Sequence, residues 1–328
     1  MDVTVRPATE SDVPALVALH APLNDFDGTW FTNPFAGGKQ AKYEDLSPAQ
    51  RWLHGGPWMD PQLLALHLDR VYSVQGVVLA AERDGAIVGS AELWPAEEPL
   101  PIGSYLDVER LTSAPAASSE IERALLAGAI RESRGRDLRA VDIAPLHAGG
   151  DFARLQADGF AVLIEHRTVH LEAGRHPKPP EYSMQSTAPT STDLKGFVAM
   201  NHSEAPSFRM GDLGNEWSAG LLADVSRPFG ALLRVDFATL GVTGRLCPWL
   251  PEPEAEVDFW IPVPALGNLH WFRAAVAAAI DHLARQHRVA RYRATVPTHL
   301  AAALWDLGFK DGAEPDPWLR KHLSQRNL

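Results

Sequence analysis

The chain of 328 residues contains one cysteine, Cys247, which excludes a disulfide framework and any cysteine-based zinc site. Long apolar runs are also missing. The longest near-pure stretch, Ala274–Ile280, is stopped by Asp281, far short of the roughly 20 residues that span a bilayer. The opening Met1-Asp2-Val3-Thr4-Val5-Arg6-Pro7 has no basic-then-apolar secretory segment. No P-loop, dinucleotide fingerprint, paired-histidine zinc helix or nucleophilic serine elbow occurs. These absences predict a cytoplasmic protein with no membrane partner and no bound metal.

Clustered positive charge is lacking too. The formal charge is −11, unevenly placed: residues 1–175 hold 15 Lys and Arg against 25 Asp and Glu, and residues 176–328 hold 15 against 16. An acidic first half argues against nucleic acid, which is bound through clustered Lys and Arg. It suits a small cationic partner. The content of 45% hydrophobic and 22% charged residues is that of a folded chain with a sizeable core, and the length suits two domains.

An internal repeat organises the chain. The first copy opens with a strand, Val3–Arg6, then Pro7-Ala8-Thr9-Glu10-Ser11-Asp12 and an apolar-periodic helix, Val13–Leu19. The second opens with Tyr182–Thr187, then Ala188-Pro189-Thr190-Ser191-Thr192-Asp193 and a predicted helix over Leu194–Met200. Asp12 and Asp193 hold equivalent capping positions. The three prolines within Ala173–Pro180 make a stiff linker. Val77–Arg83, Asp84-Gly85 and Ile87–Trp94 form a hairpin. Its counterpart is Ala231–Thr239, a turn near Gly241, and Val242–Trp249. Tyr105–Leu111, the helix Ser119–Glu132 and Ala140–Ile143 correspond to Glu256–Val263, the helix Leu269–Arg285 and Arg291–Val296. Each copy then has a short helix ending in Gly-Phe and a closing strand, Val162–Leu171 or Trp318–Leu323. The expected fold class is α+β, with domains over 1–172 and 181–328 joined by 173–180.

The copies differ in one place. Asp12 lies 111 positions before Arg123, and Asp193 lies 80 before Arg273, so the first copy carries 31 extra residues. They fall in an insert over about 21–75 rich in aromatics, including Trp30, Trp52 and Trp58. Such sequence builds either a pocket wall or a small core of its own.

The element order, with Val5-Arg6-Pro7-Ala8-Thr9-Glu10-Ser11-Asp12, the hairpin Glu82–Gly89 and the terminal Gly-Phe, resembles the GNAT N-acetyltransferase superfamily, twice over. The arrangement is similar to tandem members in which two such domains share one polypeptide. The resemblance implies acetyl-CoA or another acyl-CoA as donor, an amine acceptor, and a phosphate loop of the form Arg/Gln-x-x-Gly-x-Gly/Ala entering the central helix. Close backbone approach and a helix N-terminus receive the pyrophosphate there. Aligned on Arg123, the first copy has Ala117, Glu120 and Glu122 at the three key positions, and the two carboxylates would repel a phosphate. Aligned on Arg273, the second has Gly267, His270 and Phe272. Gly267, Asn268 and Arg273 are the expected donor-binding residues. The family's leaving-group tyrosine is replaced by Leu155 and Leu304.

Two carboxylates at alternate positions share one face of a strand and can hold different proton affinities, as a general base requires. Asp107 and Glu109 are the expected catalytic pair, and Glu256 and Asp258 stand in the same relation in the second copy. Trp30, Trp52 and Trp58 are the expected substrate-binding residues. His166, Thr168 and His170 alternate onto one face of a strand, and without a third ligand they are expected to be surface residues. One reading is an acyl-CoA-dependent N-acyltransferase acting on a small cationic amine. The other is a non-catalytic chain with decayed donor sites that binds a ligand or a protein partner.

Overall fold

The computed structural model describes residues 3–24, 29–115, 118–144, 151–174, 178–187, 189–202, 221–222 and 227–323. The chain begins with β1 (Thr4–Pro7) and α1 (Val13–His20). Asp12 accepts from the Thr9 backbone at 2.7 Å and from its hydroxyl at 2.9 Å, which closes the turn into α1. The insert follows as the small ladder β2 (Trp30–Phe31) and β3 (Gln40–Ala41), then α2 (Pro48–Gly55) and α3 (Pro61–Ser73). Next come β4 (Val77–Arg83), β5 (Ala86–Glu98), β6 (Gly103–Ser113), α4 (Ser118–Gly135), β7 (Ala140–Ile143), α5 (Phe152–Ala157) and β8 (Ala161–Glu172). The β4–β5 turn is Asp84-Gly85, both at positive φ, as the Asp-Gly pair predicts.

The second half holds β9 (Tyr182–Ser186), β10 (Phe197–Ala199), β11 (Arg227–Val235), β12 (Ala238–Cys247) and β13 (Glu254–Pro262). It continues through α6 (Leu269–Gln286), β14 (Arg291–Pro297), α7 (Thr298–Trp305), β15 (Lys310–Asp311) and β16 (Asp316–His322). Two expectations fail here. The hairpin turn is at Asp236-Phe237, and Gly241 lies inside β12, where a Cβ would meet Leu194 Cδ2 at 2.5 Å. The helix expected over Leu194–Met200 is a turn followed by β10. Asp193 still accepts from Thr190 N and Oγ1 at 2.8 Å, but Gly196 sits at φ +88° and turns the chain so that Phe197–Ala199 pairs with β13.

Among the described residues, fourteen strands form one sheet with the central path β1-β4-β5-β6-β7-β16-β8-β14-β13-β12-β11-β9. The middle of this path carries an exchange. The last strand of the second half, β16, lies between β7 and β8 of the first, and β8 pairs with β14 of the second. Each half therefore closes the other's sheet.

One face of the sheet is covered by α4 over Leu79, Leu106, Val108 and Leu319, and by α6 and α7 over Val257, Phe259, Ala294 and Val169. On the other face, α1, α3 and Trp58 pack on Val78, Ala80 and Trp94. Among the described residues, no helix is long and apolar enough to cross a membrane.

Candidate functional site

The face opposite α4 and α6 carries a cleft of about 800 Å³, lined by residues of both halves. Strand alternation explains the lining. Val108, Val257 and Phe259 point to the helix side, so Glu109, Glu256 and Asp258 point to the other. The first half contributes Glu92, Trp94, Glu109 and Arg110, with Trp52, His54 and His67 from the insert. The second contributes Asn201, Thr243, Arg245, Glu256, Asp258 and Arg293, and the exchanged strands add His166, Thr168, Asp316 and Trp318.

Asp107 and Glu109 are brought together. Glu109 lines the cleft, and Asp107 is buried behind it on the same strand. Burial, and next the charge of Asp142, push Asp107 well above the usual carboxylate range. Asp142 is its register partner on β7 and is itself pushed up to about 6 by burial, against the pull of Arg320. Glu109 is also the extra residue of a β-bulge: Glu92 pairs with Arg110 and Leu93 with Val108, so the register with β5 skips Glu109.

Glu256 and Asp258 stand in the same cleft but in different surroundings. Glu256 accepts from both Arg245 and Arg293, and Arg293 is its register partner on β14. Burial would raise its proton affinity, yet the two guanidiniums hold it below the usual range. Asp258 accepts from Asn201 Nδ2 at 3.0 Å.

The two halves also differ where parallel strands part. β6 pairs with β7 only through Leu106–Val108, and beyond Val108 no strand lies on that side among the described residues. β13 pairs with β14 through Glu254–Val257, and beyond that point β10 fills the gap. Phe197, Val198 and Ala199 pair with Pro262, Ile261 and Trp260, and Met200 N donates to Phe259 O at 2.8 Å.

The expected donor residues of the second half do not reach the cleft. Asn268 caps α6 by accepting from Trp271 N at 2.9 Å, Arg273 pairs with Asp306 at 3.2 Å, and Gly267 forms the positive-φ turn before the cap. In the first half, Ala117 lies outside the described residues. Glu120 and Glu122 are each paired, Glu120 with Arg83 at 2.6 Å and Glu122 with Arg154 and the Ser113 hydroxyl. Leu155 and Leu304 are fully buried core residues.

Of the three tryptophans, Trp52 is on the cleft wall. Trp30 packs on Tyr43 and His54, with ring centroids 5.1 and 4.8 Å away, and does not line the cleft. Trp58 is in the core, stacked 4.4 Å from His20, and its indole holds a residue of the cleft. That residue is Glu92, which sequence reasoning missed. Its carboxylate accepts from Trp58 Nε1 at 3.2 Å, Trp94 Nε1 at 2.7 Å and His67 Nε2 at 2.9 Å. Burial would raise its proton affinity, but pairing with His67 brings it below the usual range.

His166 corrects another expectation. It is buried, not at the surface, and burial lowers it to about 4, so it is neutral at pH 7. Its ring lies 5.1 Å from His202 and 5.7 Å from Trp318. Among the described residues His166 Nε2, Trp318 Nε1 and Tyr105 Oη are buried without a hydrogen-bond partner, and all three lie at the strand exchange.

No protein-family model matches the sequence, and no curated protein does. Solved structures match at the level of fold. A tandem GNAT protein from the clavulanic acid biosynthesis pathway is 15% identical, with TM-score 0.50, over 99% of this chain and 100% of that one. A GCN5-related N-acetyltransferase from Anabaena variabilis is 10% identical, with TM-score 0.58, over 97% of this chain and 72% of that one. Eis1 from Mycobacterium abscessus is 12% identical, with TM-score 0.50, over 98% and 73%. With its repeated halves and shared sheet, the chain has the GNAT acetyltransferase fold in tandem.

Proposed function

We propose that the protein is an acyl-CoA-dependent N-acyltransferase that binds one donor, in its first half, and a small cationic amine in the cleft shared by both halves. One observation carries this reading: among the described residues no strand pairs with β6 on the β7 side past Val108, whereas the equivalent gap beside β13 is filled by β10. An extended thioester substrate can lie along a strand edge that still offers backbone N–H groups, and cannot where another strand already takes them. The two acids at the start of α4, Glu120 and Glu122, are compatible with an anionic donor, because each is neutralised by an arginine. Among the described residues Arg83 Nε and Arg154 Nε and Nη2 make no hydrogen bond, and both arginines lie beside the first turns of this 18-residue helix, whose N-terminus favours negative charge.

The acceptor class follows from the walls. Four indoles (Trp52, Trp94, Trp249 and Trp318) line the cleft together with Glu92 and Glu109, and aromatic faces beside carboxylates attract an ammonium group. Glu109 takes the proton from the ammonium, and the freed nitrogen attacks the thioester carbonyl. The carbon–sulfur bond then breaks as the attached nitrogen loses its second proton to solvent, and the thiolate takes a proton from solvent, since Leu155 supplies none.

The test is calorimetric titration with acetyl-CoA, followed by transfer assays over a panel of polyamines, aminoglycosides and amino acids. The expected result is one donor bound per chain. Glu109→Gln is expected to lower kcat by at least about 100-fold while leaving donor affinity unchanged. No binding at saturating acetyl-CoA, or two equivalent sites, would overturn the proposal. The first of those outcomes favours a non-catalytic chain that binds a ligand or a protein partner in the same cleft.

A further inference from the structure

The acids of the cleft differ in what answers their charge. Glu92 accepts three hydrogen bonds, from Trp58, Trp94 and His67. Glu256 is tied to Arg245 and Arg293, and Asp258 accepts from Asn201. Asp316 is different. It lines the cleft from β16, half-buried, and among the described residues its side chain has neither an ion pair nor a hydrogen bond. Burial raises its proton affinity, and no cation acts against that.

The strand exchange builds the surroundings of this carboxylate. Asp316 and His166 are register partners on β16 and β8, so their side chains stand next to one another on the cleft face, with Cβ atoms about 5 Å apart. Trp318 is two positions further along β16 and shares that face. His166 is 7% exposed, its imidazole is neutral at pH 7, and its Nε2 has no hydrogen-bond partner among the described residues. His202 packs against both rings, 5.1 Å from His166 and 4.9 Å from Trp318 between centroids, and holds them in place. The guanidiniums on these two strands are committed elsewhere, Arg320 to Asp142 and Arg167 to Asp311. An ammonium group supplies what the cluster lacks. Its charge pairs with Asp316, and an N–H reaches the neutral imidazole nitrogen.

We propose that Asp316 and His166, with Trp318 as the wall beside them, form a second cation subsite, and that the acceptor is a diamine or longer polyamine carrying two ammonium groups. One ammonium is acylated beside Glu109 and the other is held at Asp316. The role of acceptor rests on the acyltransferase reading; the binding of a dication does not. The spacing follows from the sheet. Asp107, Asp142 and Arg320 are level across β6, β7 and β16, and β16 runs against the other two. Glu109 is therefore level with Trp318, two strands or roughly 10 Å away, and Asp316 is about 7 Å further along β16. A long diamine spans that separation and a short one does not.

The experiment is calorimetric titration of the full chain, without donor, with the α,ω-diamines of butane, hexane and octane and with octylamine. The octane diamine is expected to bind at least about tenfold more tightly than octylamine or the butane diamine, and Asp316→Asn to remove that advantage. Asp306→Asn takes away an acid that pairs with Arg273 outside the cleft, and is expected to leave the advantage intact. Asp316 has no bond to lose, so Asp316→Asn is expected to melt no lower than wild type. Equal binding of the octane diamine and octylamine overturns the proposal, as does an advantage that survives Asp316→Asn or vanishes in Asp306→Asn. A clear fall in melting temperature in Asp316→Asn also overturns it, because the carboxylate would then serve the fold. Diamine binding of the expected pattern without any acetyl transfer would sink the acyltransferase reading and leave this subsite standing.

Discussion

Glu92 shows why some functional residues cannot be found from local pattern. Its donors His67 and Trp58 lie 25 and 34 positions away, and only Trp94 is near in sequence. Sequence alternation placed Asp107 and Glu109 on one face, and Trp52 in the aromatic insert. It carried no sign that Asp142 would stand beside Asp107, because a parallel strand partner is set by the crossover through α4 and not by spacing. Glu92→Gln would turn an acceptor into an amide N–H facing an indole or imidazole donor. It is expected to cost about 1–3 kcal/mol, read as a lower midpoint in urea unfolding with an unchanged slope. A variant as stable as wild type would show that the three donors find other partners.

At the level of strands and helices, most boundaries were legible because the hydrophobic period and the capping residues agree. The helix predicted as Leu269–Arg285 is α6 (Leu269–Gln286), and the strand Ala140–Ile143 is β7 as expected. The segment 194–200 was not legible. Its apolar residues fit a helix as well as a strand, and the choice was made by Gly196 and by the free edge of β13. The exchange of β8 and β16 was equally hidden, since a closing strand has the same alternation whichever sheet receives it. This exchange gives a prediction. Residues 1–172 expressed alone lack both β14 and β16, which leaves one edge of β7 and both long edges of β8 unpaired. That fragment is expected to aggregate or self-associate on size-exclusion chromatography. A stable monomer with native-like circular dichroism would contradict the interlocked sheet.

The whole molecule carries a pH dependence from its buried imidazoles. Burial lowers His20 to about 3 and His166 to about 4, and holds His202 well below the usual value. In the unfolded chain these groups take protons below about 6.5, and in the folded chain they resist until much lower pH. The unfolded state therefore binds more protons in that window, and stability falls as pH drops from 6.5 towards 4. For His166 the effect is at most about 3 kcal/mol. Asp142, raised to about 6, acts in the opposite sense between about 4 and 6, because its folded form holds the proton more tightly. The informative quantity is therefore the difference between wild type and His166→Phe. The gap between their melting temperatures is expected to move in favour of the variant as pH falls from 6.5 to 4. A gap independent of pH would mean that His166 is already protonated or exposed.

The sequence by itself determined the repeated α+β plan, the β4–β5 hairpin, the central helices and the alternation that puts carboxylates on one face of each central strand. These depend on neighbours within a few positions, where periodicity, caps and turn residues act directly. Only the tertiary structure decided where β10 docks on β13, which carboxylate faces an acid and which an arginine, and that both halves line one cleft. Those outcomes depend on strand order and on the β8–β16 exchange. Burial then gives each charge its character, by removing the water that would otherwise make Asp107 and Glu256 alike.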